Sequence, residues 1–498
     1  MNAPPASVCA ALALHAATRP QAPAYVDNEG TIGYGELHLV ARRGAAWLAS
    51  RGVRPGDIVA LSLHGLEQGA SAPAAMLYAI GYAGAVCLPL PPEAPWAAQV
   101  ALLEQFSAPW LLVAGAPPRV GGARTLDPRG FDPADAGLDQ VPLPPIDPDA
   151  PAVFLFTSGT TGTPKVLLPT HRQVYDKSVA AMQSLGAGDD DRLMAPVPWP
   201  AGVGMRYMMR AHAIGAAYLA VVLDEPLEQL AGSIARHGIT RMYASPWQLR
   251  RLLQGPPHAA PMPALRSLGA IGAIISTDEV AAVRAAITPN LYVDYGCNEV
   301  GTIALLGPGD AAQPGCVGRL QPGVEVRVED GAGDALPAGD IGELAYRTPW
   351  MCHEYTGNPR ATAERFRGGW FYPGDAGSVD AQGCLTLRGR TQDLINYGGL
   401  KIWPEDVEVV LKQHPGILDA AVAGLPDPLA GQVPAAFIVR RVPLDVAELE
   451  AFCLKHIDGP RMPRWFFLVD SIPRNENGKV LREALLALQR RDSDGTPV

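Results

Sequence analysis

The chain has 498 residues, of which 48% are hydrophobic and 18% charged, enough for a large core and for about two to four domains. A net charge of −10 and a pI near 5.5 exclude a broadly basic nucleic-acid-binding surface, although local basic sites remain open. The seven cysteines are scattered, odd in number and without a Cys-x-x-Cys pair, which argues against a zinc site and predicts reduced, mostly buried thiols in a cytoplasmic protein.

Met1 to Pro5 places no basic segment before an apolar run, so no signal peptide is expected. Leu37, Val40, Ala41, Trp47 and Leu48 recur at helical spacing with Gly44 on the same face, and Gly52 marks the stop. Pro55-Gly56-Asp57 turns the chain into a strand over 58–63. Residues 68–92 carry no charge, but Pro73, Gly81, Gly84, Pro89 and Pro91 interrupt them. A buried helix near 72–83 and a buried strand near 85–90 are expected there, and no membrane span. Residues 117–151, rich in Pro, Gly and Asp, read as a surface excursion.

The apolar run 152–156 predicts a buried strand, and a helix is expected to begin near His171. Between them lies Thr157-Ser158-Gly159-Thr160-Thr161-Gly162-Thr163-Pro164-Lys165. Its hydroxyls, its two glycines and its lysine are the parts of a phosphate cradle. The spacing is not that of the Walker loop, since Pro164 directly precedes the lysine. A Thr/Gly-rich surface turn is the plainer alternative for such a stretch taken alone.

Downstream, a strand over 218–223, a helix near 227–237 and a strand over 239–243 continue an alternation that predicts α/β layers with largely parallel sheets. From about 315, short strands at 324–328, 342–346 and 385–388 suggest a smaller β subdomain. After about 393 comes a separate α+β segment, with a helix near 404–413, strands near 419–424 and 435–439, and a helix near 446–456.

Further motifs follow the phosphate loop in order. Asp294-Tyr295-Gly296-Cys297-Asn298-Glu299 ends a predicted strand, and Trp370-Phe371-Tyr372-Pro373-Gly374-Asp375, Gly389-Arg390-Thr391-Gln392-Asp393, Gly398-Gly399-Leu400-Lys401 and Asn477-Gly478-Lys479 succeed it. Singly, each reads as a turn or a solvated loop. In this order, over about 30–485, they resemble the adenylate-forming superfamily of acyl-CoA synthetases, peptide-synthetase adenylation domains and luciferases.

The resemblance implies a large N-terminal domain over 1–392 that binds ATP and an acid, and a small mobile α+β domain over 393–498. It implies ATP contacts from Thr157, Ser158, Gly159, Thr160, Thr161, Gly162, Thr163, Gly272, Ala273, Tyr295, Gly296, Asn298, Asp375 and Arg390, with Tyr295 against the adenine and Asp375 on the ribose. Glu299 is expected to hold Mg²⁺, and Lys165 and Lys479 to meet developing charge. Asp393 is the expected hinge, and Gly398 and Gly399 the expected passage for a pantetheine arm. Trp199, Ile271 and Cys297 are expected to line the acid pocket. Asn298 stands where the family usually has Thr, and Pro373 replaces another Thr.

The implied reaction joins a carboxylic acid to AMP and then passes the acyl group to a thiol. No acidic residue occurs over 196–203 to receive an amine, so an uncharged acyl or aryl acid is expected. The thiol is expected to come from CoA, or alternatively from the phosphopantetheine of a separate carrier protein. A luciferase-like oxygenase and an inactive nucleotide-binding homologue are further alternatives. The retained lysines and Glu299 argue against the inactive form.

Overall fold

A computed structural model describes residues 4–27, 30–62, 71–91, 94–115, 121–157, 165–195, 202–220, 230–254, 262, 264–474 and 480–489. The expected phosphate-loop residues 158–164, Trp199, the end of the strand expected over 218–223 and Lys479 lie outside them.

Among the described residues, fifteen strands share one sheet. One half is parallel, in the spatial order Pro23–Val26, Ala217–Leu219, Arg192–Met194, Arg241–Ala244, Ser267–Ala270, Leu291–Cys297. These short runs are apolar on both faces because both are covered. Leu193, Tyr218 and Tyr243 enter one core, while Met194, Leu219, Met242 and Leu268 enter the other. The sheet then turns antiparallel through Gly301–Leu306, Cys316–Leu320, Cys384–Arg390, Asp375–Val379 and Gly342–Arg347. The β-rich region expected from about 315 is therefore joined to the parallel strands in one sheet, through Gly301–Leu306.

A second, parallel sheet runs Val86–Pro89, Ile58–Leu61, Trp110–Leu112, Arg124–Leu126. It is preceded by the helix Tyr34–Ser50, packed on the uncharged helix Ser71–Tyr82. Leu155–Thr157 and Lys165–Leu167 form an antiparallel hairpin in which Thr157 faces Lys165. The helix after it, His171–Ser184, begins in a capping box made by Thr170 and Gln173.

The C-terminal part has its own sheet, centred on the long pair Ile417–Asp427 and Gly431–Arg440. Its helices are Pro404–Leu411, Val446–His456 and Arg482–Gln489. Its cores, which include Ile395, Val407, Leu411, Phe437 and Leu449, share no member with those of the larger part. No helix among the described residues is long and apolar enough to cross a membrane.

Arg241 fastens the parallel half together. Its Nε donates to Asp191 at 2.7 Å, and its Nη atoms donate to the carbonyls of Leu185 and Gly186 and to Ser267 Oγ. Asp191 is 1% exposed. Asp191 also accepts from Arg266 and Thr240, so Arg241→Met removes one of several charge-assisted bonds and is expected to lower unfolding free energy by roughly 1.5–3 kcal/mol in a denaturant titration.

Candidate functional site

The site lies at the C-terminal ends of the parallel strands, where the sheet changes direction. Strand Leu291–Cys297 is parallel to Ser267–Ala270 on one edge and antiparallel to Gly301–Leu306 on the other. The return is tight: a Cβ on Gly296 would overlap the Gly301 carbonyl oxygen. Only glycine lets the two backbones approach this closely, so the turn holds Tyr295 and Glu299 on either side of a fixed bend.

Tyr295 donates its hydroxyl to Asp375 Oδ2 at 2.5 Å. Arg390 Nη1 donates to Asp375 Oδ1 at 2.5 Å, because Asp375 and Arg390 are register partners on adjacent strands. Burial, reinforced by the Asp375 charge, holds the Tyr295 phenol well above its usual pKa, so it stays protonated and donates. Arg390 Nε is buried and has no hydrogen-bond partner among the described residues. Three separated motifs thus converge on one carboxylate.

On the other side of the bend, Tyr355 donates to Glu299 Oε1 at 2.6 Å. The ammonium of Lys165 sits 4.9 Å from the centre of the Tyr355 ring. Burial lowers the Lys165 pKa and nearby Arg365 lowers it further, while Glu299 pulls the other way. Arg390 lowers it slightly more. Backbone bonds lock the arrangement: Thr356 N–H to the Val166 carbonyl at 2.8 Å, and Cys352 N–H to the Glu299 carbonyl at 2.9 Å. Asn298 Nδ2 reaches the Phe156 carbonyl at 3.2 Å, tying this turn to the strand that leads into the phosphate loop.

The remaining expected residues are more dispersed. Ile271 follows Ser267–Ala270 and donates its N–H to the Ala244 carbonyl; Gly272 and Ala273 extend past the strand end. Cys297 is half-buried, and burial pushes its thiol pKa far up, with Glu299 adding to it. Gly398 and Gly399 form the tip of the hairpin between Ile395–Tyr397 and Leu400–Ile402, where both have positive φ. Nothing among the described residues lies within 4 Å of a Cβ built at either position, so that tip does not touch the Asp375 cluster.

Asp393 is bonded to Arg482 at 2.8 Å, and the same guanidinium reaches Glu405 and Glu408, each at 2.9 Å. Thr391 donates from its backbone and its hydroxyl to the Gly374 carbonyl. Gly389, at φ +145°, lies against the Glu405 carboxylate with no room for a side chain. Burial raises the Glu405 pKa to about 7, against the pull of Arg482.

Motif order left several residues unremarked: Tyr355, Arg365 packed against Gly374, and the pair Arg206 and Arg210 on helix Gly202–Ile214. The signal for that pair was present in the sequence, as two arginines four apart in an otherwise uncharged stretch from Leu193 to Arg210.

A family model described as AMP-binding enzyme matches residues 12–356, and its C-terminal domain model matches 406–479. The chain belongs to the AMP-binding enzymes. It is 30% identical to a fatty acid–[acyl-carrier-protein] ligase, ScoC, of Streptomyces coeruleorubidus, over 95% of this chain and 94% of that one. It is 29% identical to a 2-succinylbenzoate–CoA ligase of a Geobacillus strain, over 96% of each. Among solved structures, ATP-bound MatB of Rhodopseudomonas palustris superposes with a TM-score of 0.84 at 25% identity, covering 97% of this chain and 99% of that one. The O-succinylbenzoate coenzyme A synthetase of Bacillus subtilis in complex with AMP gives 0.81 at 26% identity, covering 95% and 97%.

Glu405 gives this AMP-binding enzyme a pH dependence. Its folded pKa is raised above the unfolded carboxyl value, so its contribution to stability is complete below about pH 4.5 and is lost as pH rises through about 7. Melting temperatures of wild type and Glu405→Gln, measured from pH 5 to pH 8, are expected to diverge in the variant's favour as pH rises.

Proposed function

We propose that this enzyme activates a carboxylic acid with MgATP and passes the acyl group to a thiol, first of all that of CoA. One observation carries the reading: Tyr295 and Arg390 meet on Asp375, while Lys165, Tyr355 and Glu299 cluster on the other side of a single backbone turn. A nucleotide fits these residues. Asp375 keeps lone pairs for two ribose hydroxyls after accepting one bond on each oxygen, and the unpartnered Arg390 Nε is a donor awaiting an oxygen.

Glu299 suits Mg²⁺ as a single hard oxygen ligand whose orientation Tyr355 sets, with phosphate oxygens and water completing the set. When bound, the ion neutralises phosphate charge. Residues 157–163 would cradle the phosphates, with Lys165 beside them. Gly272, Ala273, Gly296 and Asn298 would border the nucleotide, and Ile271, Cys297 and Trp199 the acid.

In the first half-reaction a carboxylate oxygen attacks the α-phosphorus, the bond to the bridging oxygen breaks and pyrophosphate leaves. Lys479 would meet the charge on those oxygens. In the second, the thiol sulfur attacks the acyl carbon, AMP departs and the thiol proton goes to solvent. The domain boundary is proposed at 392/393, with rotation about Asp393 exchanging Lys479 for the Gly398-Gly399 hairpin. A carrier-protein thiol is the second reading, favoured by the end-to-end likeness to the carrier-protein ligase of Streptomyces.

Acid-dependent exchange of labelled pyrophosphate into ATP, run across an acid panel, tests the first half. Wild type is expected to exchange with at least one acid. Asp375→Ala is expected to weaken ATP binding by about 1.5–3 kcal/mol, a 10- to 150-fold rise in KM for ATP, as charge-assisted hydrogen bonds are lost. AMP release with CoA, compared with release using a pantetheinylated carrier, separates the two acceptors.

A further inference from the structure

Helix Gly202–Ile214 stands beside the same site. Arg206 and Arg210 are one turn apart on it and line a cleft with Leu155, Val174, Lys177 and Met209. The two arginines are not alike. Arg210 donates to the Tyr243 hydroxyl at 3.1 Å, and Tyr243 in turn donates to Asp294 Oδ2 at 3.1 Å. Its charge is thereby answered through a buried chain that ends on the carboxylate next to Tyr295. Lys177 is also satisfied, since its ammonium donates to the Asn298 carbonyl at 2.7 Å.

Arg206 has no such answer. Among the described residues its guanidinium makes no hydrogen bond and no ion pair. The charges that act on it are those of Arg210, which repels it, and Glu299, which attracts it, and the Glu299 carboxylate already accepts from Tyr355. Burial, then Arg210, lowers its pKa to about 10, so it is cationic at neutral pH. By accessible surface the Arg206 side chain is half-buried and lines the cleft, so its five donors, with no acceptor from the protein among the described residues, are presented to whatever occupies that cleft. A planar fork of this kind matches a carboxylate or a sulfonate.

We propose that Arg206 binds a second anionic group on the substrate, so that the acid activated here is a dicarboxylic or sulfocarboxylic acid whose far end docks on Arg206 with Arg210 behind it. This deepens the acid-activation reading and rests on it. It replaces the expectation of an uncharged acid, which came from the lack of an acidic residue over 196–203. That absence excludes a substrate amine but says nothing against a substrate anion, and the cation that would receive one lies beyond that stretch.

Pyrophosphate exchange with isosteric pairs tests it: glutarate against valerate, 3-sulfopropionate against butyrate, isophthalate against 3-methylbenzoate. Wild type is expected to prefer the dianionic member of at least one pair. Arg206→Met is expected to lower the dianion-to-monoanion ratio of kcat/KM roughly 10- to 100-fold, the loss of a charge-assisted bond. Arg206→Lys is expected to recover part of that ratio, and a melting curve of the Met variant within a few degrees of wild type excludes misfolding. A carboxylate-only or sulfonate-only preference identifies which anion is bound, and either supports the inference. Exchange driven by the monoanionic members, with a ratio that Arg206→Met leaves unchanged, overturns the inference and leaves acid activation standing. Exchange with neither member of any pair but with other monocarboxylic acids overturns it too, and exchange with no acid at all overturns both.

Discussion

The site depends on one constraint, that strand Leu291–Cys297 must be parallel on one edge and antiparallel on the other. A strand in that position ends where parallel neighbours open a crevice, yet it must return at once to pair with Gly301–Leu306. The return is possible because neither Gly296 nor Gly301 carries a side chain at the point of closest approach. Everything placed on that bend inherits its rigidity. Tyr295 is aimed back toward Asp375, Glu299 forward toward Tyr355, and Asn298 down to Phe156. The antiparallel strands bring up Asp375 and Arg390 as immediate register partners. Two sheet textures that differ in sequence are thus one continuous surface, and the chemistry sits on the seam.

Much of this was legible before the fold was known, for a physical reason. Local elements follow local patterns: the helix expected near 446–456 is Val446–His456, and the uncharged segment 68–92 holds the helix Ser71–Tyr82 and the strand Val86–Pro89. Long-range pairing leaves no such trace. Nothing in the composition after residue 315 says that Cys316–Leu320 will pair with Gly301–Leu306 and carry the parallel sheet onward. The same division holds in the site. Tyr295, Asp375, Glu299 and Arg390 stand in motifs whose order is visible along the chain. Tyr355, Arg365 and Arg206 act as single residues brought in by tertiary packing.

The electrostatics of the cleft are uneven in an informative way. Acidic groups are few and each is engaged: Asp375 by two donors, Glu299 by Tyr355, Asp294 by Tyr243 and Thr302. Cations are more numerous: Lys177, Arg206 and Arg210 line the cleft beside helix Gly202–Ile214, and Lys165 and Arg390 stand by Tyr355 and Asp375. Partly desolvated cations of this kind interact more strongly with an anion than they would in water.

Two clamps on either side of residue 392 bear on the proposed rotation of the C-terminal part. Arg390 is held to the large part through Asp375, and Thr391 through Gly374. Asp393 is held to the small part through Arg482. Between them stands Gln392, exposed, with no side-chain hydrogen bond among the described residues. While both clamps hold, a swivel of one lobe on the other has only the torsions around this single residue to draw on. Such a pivot would be short, and the proposed rotation would have to part Glu405 from the bare backbone of Gly389 and Asp406 from Arg388.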